Sequence, residues 1–219
     1  MDTERPAESK SRDIDELRPD VKKFIENYSK ITDKICIEVP PHLKANLDCE
    51  REYVSLNGEL NRLSLYFGKL KKHDESVVAL PEDVCIFSKG LKAKEAKCIS
   101  GCKYIYEISP AVVISDLIGE ALGKGMKIYR HGKKCYAVSN EYCGSPFLRC
   151  YKVVGECKNR EVSAALNEAK ARDVILHESI LPEAYWERKK ALEKGLNGNK
   201  RIHLFVFKDK CLICERAVS

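Results

Sequence analysis

The sequence predicts an α+β protein: an N-terminal helical hairpin followed by a small mixed or antiparallel β domain with flanking helices. Apolar residues up to Leu70 recur at helical spacing, whereas short β-favouring runs separated by turn residues follow from Ser76. These later strands and helices do not alternate regularly, which favours α+β over a βαβ succession. We expect three segments, namely a disordered tail over 1–12, a helical region over 13–75 and an α+β domain with a basic β segment over 76–219.

Two helices compose the predicted hairpin. The first lies within 13–34, where the apolar residues share one stripe. The second follows Pro40-Pro41, and its apolar residues are separated by 4, 3, 4, 3, 4 and 3 positions, which is heptad spacing. These residues are Cys49, Tyr53, Leu56, Leu60, Leu63, Phe67 and Leu70. The seam packs either on the first helix or on a partner chain, for which the candidate contacts are Tyr53, Leu56, Leu60, Leu63 and Phe67.

The β domain begins with short runs rich in β-branched and aromatic residues, with Pro81, Gly90 and Gly101 between them. The expected strands are 77–80, 84–87, 104–108, 127–129, 135–138 and 147–154. The expected helices run from the Ser109-Pro110 cap to Leu122, over 160–172, and from Pro182 to Lys194. A final hairpin is expected to pair 201–207 with 211–216.

Basic residues are concentrated between residues 89 and 158, where 13 basic and six acidic side chains give a net charge of 13 − 6 = +7. Cations interleave there with tyrosines on short strands, an arrangement that binds phosphates by charge and bases by stacking. The alternative is that the rings belong to the core and the lysines are only solvated. The candidate nucleic-acid contacts are Lys124, Lys127, Arg130, Lys133, Lys134, Arg149, Lys152 and Tyr136.

The 11 cysteines are expected to be reduced, because residues 1–12 lack the apolar segment of a signal peptide. We therefore expect a cytoplasmic protein, with the nucleus as the alternative, and no membrane span.

Cys211 and Cys214 have the spacing of half a zinc site, and Cys98 and Cys102 form a looser pair that would complete four thiolates. Against zinc, cysteines three apart in a strand point to opposite faces. We expect no cofactor, with zinc as the alternative.

No catalytic motif is evident in the sequence. The five histidines are scattered, without HxxxH or HExxH spacing, and no Gly-x-Ser-x-Gly elbow is present. Residues 119–125 depart from a phosphate-binding loop, because three residues rather than four separate the first two glycines. We therefore expect a protein that is not an enzyme.

Two short pieces of the second half resemble the Simiate family, also called actin-binding transcription modulator, which has a biotinyl/lipoyl-like β fold. They are Lys127-Ile-Tyr129 with Gly132 and Tyr136-Ala-Val-Ser139, and Ile175-Leu-His177 with Ser179-Ile-Leu181 and Glu183. No lysine lies in a lipoylation-type hairpin, so the resemblance implies no attached cofactor. The small, basic, reduced-cysteine profile also resembles ribosome dormancy factors, and heptad helices beside hairpins resemble prefoldin-like subunits.

These features favour a non-catalytic protein that binds RNA or a ribonucleoprotein, most concretely a ribosome-associated factor of the dormancy (hibernation) or assembly type. This interpretation needs the basic side chains on one surface. The alternative is a protein-interaction or chaperone-like assembly module that docks through the helical seam of residues 49–70.

Overall fold

The computed structural model describes residues 1–4, 13–43, 46–132 and 134–217 of the chain. The chain divides into two compact units that interleave along the sequence, whereas a division near residue 76 was expected from the sequence. The first unit comprises 1–93, 108–122 and 145–148, and the second comprises 94–107, 123–144 and 149–219. Each unit is built around its own β-sheet, so the predicted α+β class is confirmed.

The first unit contains a five-stranded sheet with the order β1-β3-β2-β4-β5. Its strands are β1 (Lys34–Val39), β2 (Glu50–Leu56), β3 (Glu59–Gly68), β4 (Glu75–Leu80) and β5 (Val84–Phe87). Strands β2 and β4 are parallel, and the other neighbours are antiparallel. The helices of this unit are α1 (Val21–Tyr28), α2 (Pro110–Ile114) and α3 (Ile118–Ala121), and a 3-10 helix spans Ile14–Glu16. The hydroxyls of Ser55 in β2 and Ser109, which precedes α2, form a buried hydrogen bond of 3.1 Å.

The predicted helix over 49–70 is wrong, because this segment is the antiparallel hairpin of β2 and β3. Asn57 and Gly58 connect the strands with φ values of 53° and 84°. Two successive residues with positive φ form a type I′ turn, for which Asn-Gly is the strongest sequence signal. Tyr53 lies directly opposite Leu63 on the neighbouring strand, and both are buried. The helical seam therefore does not form, and neither does the helical hairpin or the prefoldin-like arrangement that depended on it.

The N-terminal residues also differ from the expected tail. Residues 1–4 are hydrogen-bonded to their neighbours, as Thr3 donates its backbone N–H to Glu38 in β1 and Glu4 exchanges backbone bonds with Arg18. Residues 5–12 lie outside the described residues. Of the predicted helix within 13–34, the α-helical part is α1, whose start is capped by Asp20 accepting from the backbone N–H of Lys23 at 3.0 Å.

The second unit contains a seven-stranded sheet with the order β10-β11-β12-β9-β6-β8-β7. Its strands are β6 (Tyr104–Ile108), β7 (Lys127–His131), β8 (Lys134–Ser139), β9 (Leu148–Lys158), β10 (Ala171–His177), β11 (Lys200–Val206) and β12 (Lys210–Arg216). Helices α4 (Val162–Glu168) and α5 (Pro182–Glu193) belong to the same unit, and α5 links the parallel strands β10 and β11. The predicted final hairpin is confirmed as β11 and β12, whereas strand β10 was not predicted.

The seven-stranded sheet has two different faces. One is packed against α4 and α5, which contribute Val162, Leu166 and Leu192 to its core. The opposite face, which we call the His203 face, carries a second core of mostly aromatic and aliphatic residues. That core consists of Ile99, Ile105, Tyr136, Val138, Tyr151, Phe205, Phe207, Leu212 and Cys214. Among the described residues, no helix is long and apolar enough to cross a membrane.

Candidate active site

Four polar side chains meet on the His203 face, and we call the set of Glu107, His177, His203 and Tyr151 the relay. Nδ1 of His177 lies 2.9 Å from one carboxylate oxygen of Glu107, and Nε2 of His177 lies 2.9 Å from Nδ1 of His203. The Tyr151 hydroxyl donates to the other oxygen of Glu107 at 2.7 Å. The relay is thus a continuous chain of hydrogen bonds from a carboxylate to the outer imidazole.

Strand pairing positions the relay. Glu107 lies near the end of β6, His177 ends β10, His203 is in β11, and Tyr151 is in β9. In the parallel pair of β10 and β11, His177 lies opposite Phe205, two residues beyond His203, so the two imidazoles are diagonal neighbours on one face. The ring of Phe205 stacks on His177 with a centroid distance of 4.1 Å. The imidazole of His177 is therefore fixed by a ring as well as by two hydrogen bonds.

Burial and charge set the protonation of each member. Burial opposes ionisation of Glu107, but hydrogen bonds from His177 and Tyr151 and the charge of Arg149 outweigh it and lower its pKa to about 2. Burial and the nearby His177 lower the pKa of His203 to about 4. Burial and the bond to Glu107 raise the pKa of the Tyr151 hydroxyl. At neutral pH the relay therefore combines a carboxylate, a neutral outer histidine and a protonated tyrosine.

The direction of the hydrogen bonds follows from these charges. Glu107 can only accept, so Nδ1 of His177 carries a proton. When His177 is neutral its Nε2 accepts, so Nδ1 of His203 is the donor and Nε2 of His203 holds a lone pair. Within the described residues, Nε2 of His203 makes no hydrogen bond. His203 is 7% exposed, so the lone pair is held in a largely dry environment.

This arrangement can move a proton. A proton taken up at Nε2 of His203 allows the Nδ1 proton of the same ring to pass to His177. The resulting imidazolium lies beside the carboxylate of Glu107, which stabilises it. A histidine oriented by a second group that is itself oriented by a carboxylate has the geometry of a general base.

The predicted nucleic-acid contacts do not lie on one face. Lys127 and Lys134 lie opposite Val138 and His131, while Arg130 on the alternate face pairs with Glu95 at 3.4 Å. Arg149 and Lys152, three apart in β9, also point to opposite faces. Lys124 is exposed in the turn before β7, and Lys133 lies outside the described residues.

Tyr136, proposed from the sequence as a stacking residue, belongs to the core. It is 3% exposed, and its ring contacts the rings of Phe205 and Phe207 edge-on. Tyr151 is likewise buried in the relay. The sequence left open the alternative that these rings belong to the core. In the structure Tyr136 and Tyr151 are core residues.

The four cysteines considered for zinc are separated by the sheet. Cys211 packs on the helix-covered face and Cys214 on the His203 face, as expected for residues three apart in a strand. Cys102 packs beside Cys214, and Cys98 is exposed. Among the described residues, no group of three or more histidine, cysteine, aspartate or glutamate side chains is arranged to hold a metal ion.

The relay was not predicted from the sequence. His177 is separated from Glu107 by 70 positions and from His203 by 26, so no local spacing connects them. The only local signal is that each histidine adjoins an apolar, β-favouring run, Val174-Ile-Leu176 and Leu204-Phe-Val206. A histidine inside such a run is expected to be buried and therefore to need a polar partner.

Comparison with known proteins shows that the fold is similar to that of a solved structure. No protein-family model and no curated protein matches the chain. The fold is similar to that of a protein from Porphyromonas gingivalis W83, whose crystal structure is described as that of a "putative methyltransferase". The TM-score is 0.73 at 13% sequence identity, over 100% of this chain and 59% of the other. This chain therefore spans somewhat more than half of that protein's length.

This similarity overturns two predictions made from the sequence. The protein was expected to be a non-catalytic RNA- or ribonucleoprotein-binding factor and not an enzyme, yet its fold is similar to that of a protein described as a "putative methyltransferase". At 13% identity the similarity establishes the fold alone. The resemblances to the Simiate family and to ribosome dormancy factors, the expected RNA or ribosome partner and the cytoplasmic location stay predictions.

Proposed function

We propose that the protein is an enzyme of the methyl-transfer class, in which His203 acts as the general base that prepares the methyl acceptor. The observation that carries the proposal is the relay, which holds a neutral imidazole at the end of a carboxylate-anchored chain and leaves Nε2 of His203 available when His177 is neutral. The fold similarity to the Porphyromonas gingivalis protein supports methyl transfer as the reaction.

The chemical step assigned to these residues is a proton transfer. An acceptor X–H gives its proton to Nε2 of His203, and the electron pair of the X–H bond stays on X as the nucleophile. The Nδ1 proton of His203 moves to His177, so the positive charge comes to rest beside Glu107. Removal of a proton in this way accelerates attack by about 10²- to 10⁴-fold in enzymes.

The one βαβ crossover found among the described residues lacks a loop of the kind that binds nucleotide phosphates. That crossover consists of β10, α5 and β11, and its first loop reads Glu178-Ser-Ile-Leu181. The loop contains no glycine, whereas loops that cradle nucleotide phosphates at this position are rich in glycine. The relay is therefore assigned to the methyl acceptor.

The proposal is tested with S-adenosylmethionine carrying a tritiated methyl group and a heat-treated cell extract as the source of acceptors. Wild-type protein should label the extract, and His203→Gln should reduce the labelling by about 100-fold or more, since the base is lost. The matched control is His42→Gln, because His42 is an exposed histidine of the first unit and should leave labelling unchanged.

Two results would overturn the proposal. Equal labelling by wild-type protein and His203→Gln would remove His203 from the reaction. The absence of labelling by the wild-type protein would remove methyl transfer as the reaction.

A further inference from the structure

Arginines line the end of the His203 face next to the relay. Arg201 lies two residues before His203 in β11 and therefore points to the same face. Arg216 lies opposite Tyr151 in the pairing of β12 with β9, so it also shares that face. Arg149 lies two residues before Tyr151 and has one guanidinium nitrogen 3.9 Å from Glu107. The relay is therefore bordered by cations from three strands.

The pairing of β11 with β12 ends next to two of these cations. His203 lies opposite Cys214 in the antiparallel pair of β11 and β12. Continuing this register by two residues along both strands would place Arg201 opposite Arg216. Side chains at such opposite positions are about 5 Å apart at Cβ, and like charges there are destabilising.

The opposite face of the same strands shows how charges are balanced elsewhere. There the carboxylate of Glu215 forms an ion pair with Lys200 at 2.7 Å and lies opposite Lys152. On the His203 face, Arg201 pairs with Asp173 at 2.6 Å on its outer side. Arg216 is exposed, and its side chain forms no hydrogen bond or ion pair with the described residues. Among the described residues, the positive charge of Arg216 next to the relay therefore has no counter-charge.

We propose that Arg216, together with Arg201, binds an oxyanion of the substrate, a carboxylate or a phosphate group, and thereby holds the methyl acceptor against His203. The identification of the bound molecule as a methyl acceptor rests on the proposed function. The anion site itself rests on the arrangement of the strands. A guanidinium binds either oxyanion through paired N–H donors. An anion at this position also relieves the repulsion between the two arginines.

The test measures binding without turnover. Protein with isotopically labelled histidine and arginine is titrated at neutral pH with inorganic phosphate and, separately, with formate, while NMR follows the side chains of His203 and Arg216. Saturable changes at both residues are expected with at least one anion, and the anion that binds tells phosphate from carboxylate. Arg216→Gln should weaken binding by about tenfold or more, because a charged hydrogen-bond donor is lost.

The matched control is Arg160→Gln, since Arg160 is an exposed arginine of the same unit, with a side chain 77% exposed. It should bind the anion as the wild-type protein does. A bound anion should also raise the pH at which His203 titrates, because negative charge favours the imidazolium. Unchanged spectra with both anions, or equal binding by Arg216→Gln, would refute the site. Binding without methyl transfer would refute the proposed function and leave the anion site standing.

Discussion

Acidification should destabilise the protein through His203, because the folded structure holds this imidazole neutral. Its pKa falls from the usual 6.5 to about 4 on folding. Between pH 6.5 and about pH 4, His203 is therefore protonated in the unfolded chain but neutral in the folded protein. Stability is lost as pH falls below 6.5, and the loss is complete below about pH 4. For such a shift, unfolding becomes easier by about 2 to 3 kcal/mol between about pH 7 and about pH 4.5.

Urea unfolding at these two pH values measures the effect. His203→Gln should show a pH dependence smaller by about 2 to 3 kcal/mol, whereas the exposed His42→Gln should retain the wild-type dependence. The pKa of Glu107 is about 2 in the folded protein, so near pH 4.5 only the unfolded glutamate takes up protons, which adds about 0.4 kcal/mol to the loss in both proteins. If His203→Gln and wild-type protein lose the same stability on acidification, the imidazole is not held neutral and the assignment of protons in the relay is wrong.

Two further predictions concern the fold. Gly58→Ala should lower the free energy of unfolding by about 1 kcal/mol, since φ is 84° there and a side chain disfavours that conformation. Gly155→Ala should lower the midpoint of thermal unfolding less than Gly58→Ala does. Its added Cβ would lie 3.5 Å from Ile213, which is an ordinary van der Waals contact. Leu166→Ala should cost about 3 kcal/mol in chemical unfolding, because Leu166 is fully buried, whereas Leu181→Ala should change little because Leu181 is 73% exposed. Comparable losses from both leucine variants would contradict the assignment of the helix-covered core.

Local patterns in the sequence identified much of the second unit. The runs at 104–108 and 135–138 form strands, and the helix opened by Pro182 is α5. Their apolar residues and turn signals lie within a few positions of one another, so they can be recognised without tertiary information.

The error at 49–70 arose from competition between two local signals. Heptad spacing indicates a helix, but Asn57-Gly58 lies in its middle and favours a two-residue turn. The turn prevails because a glycine is unfavourable within a helix and because the neighbouring strands bury Tyr53 against Leu63. Weighting the Asn-Gly signal above the spacing would have predicted the hairpin.

The relay could not have been predicted from local patterns. Its members come from β6, β9, β10 and β11, and they meet because of strand order and register. A one-residue change of register would move a histidine to the other face. The cluster of basic residues can be recognised in the sequence, but side chains alternate along a strand, so these residues are distributed over both faces of the sheet. The face on which each basic side chain lies depends on strand register, as it does for the histidines.

The interleaving of the two units affects how the protein can be made and dissected. The buried bond between Ser55 and Ser109 belongs to the first unit, yet residues 94–107 of the second unit lie between them in the chain. A nascent chain that emerges N-terminus first therefore supplies the first unit completely only after residue 148, when part of the second has already emerged. No single cut of the polypeptide separates the two units. A shortened protein that contains only one unit must therefore be made by joining its separate segments, because truncation alone cannot produce it.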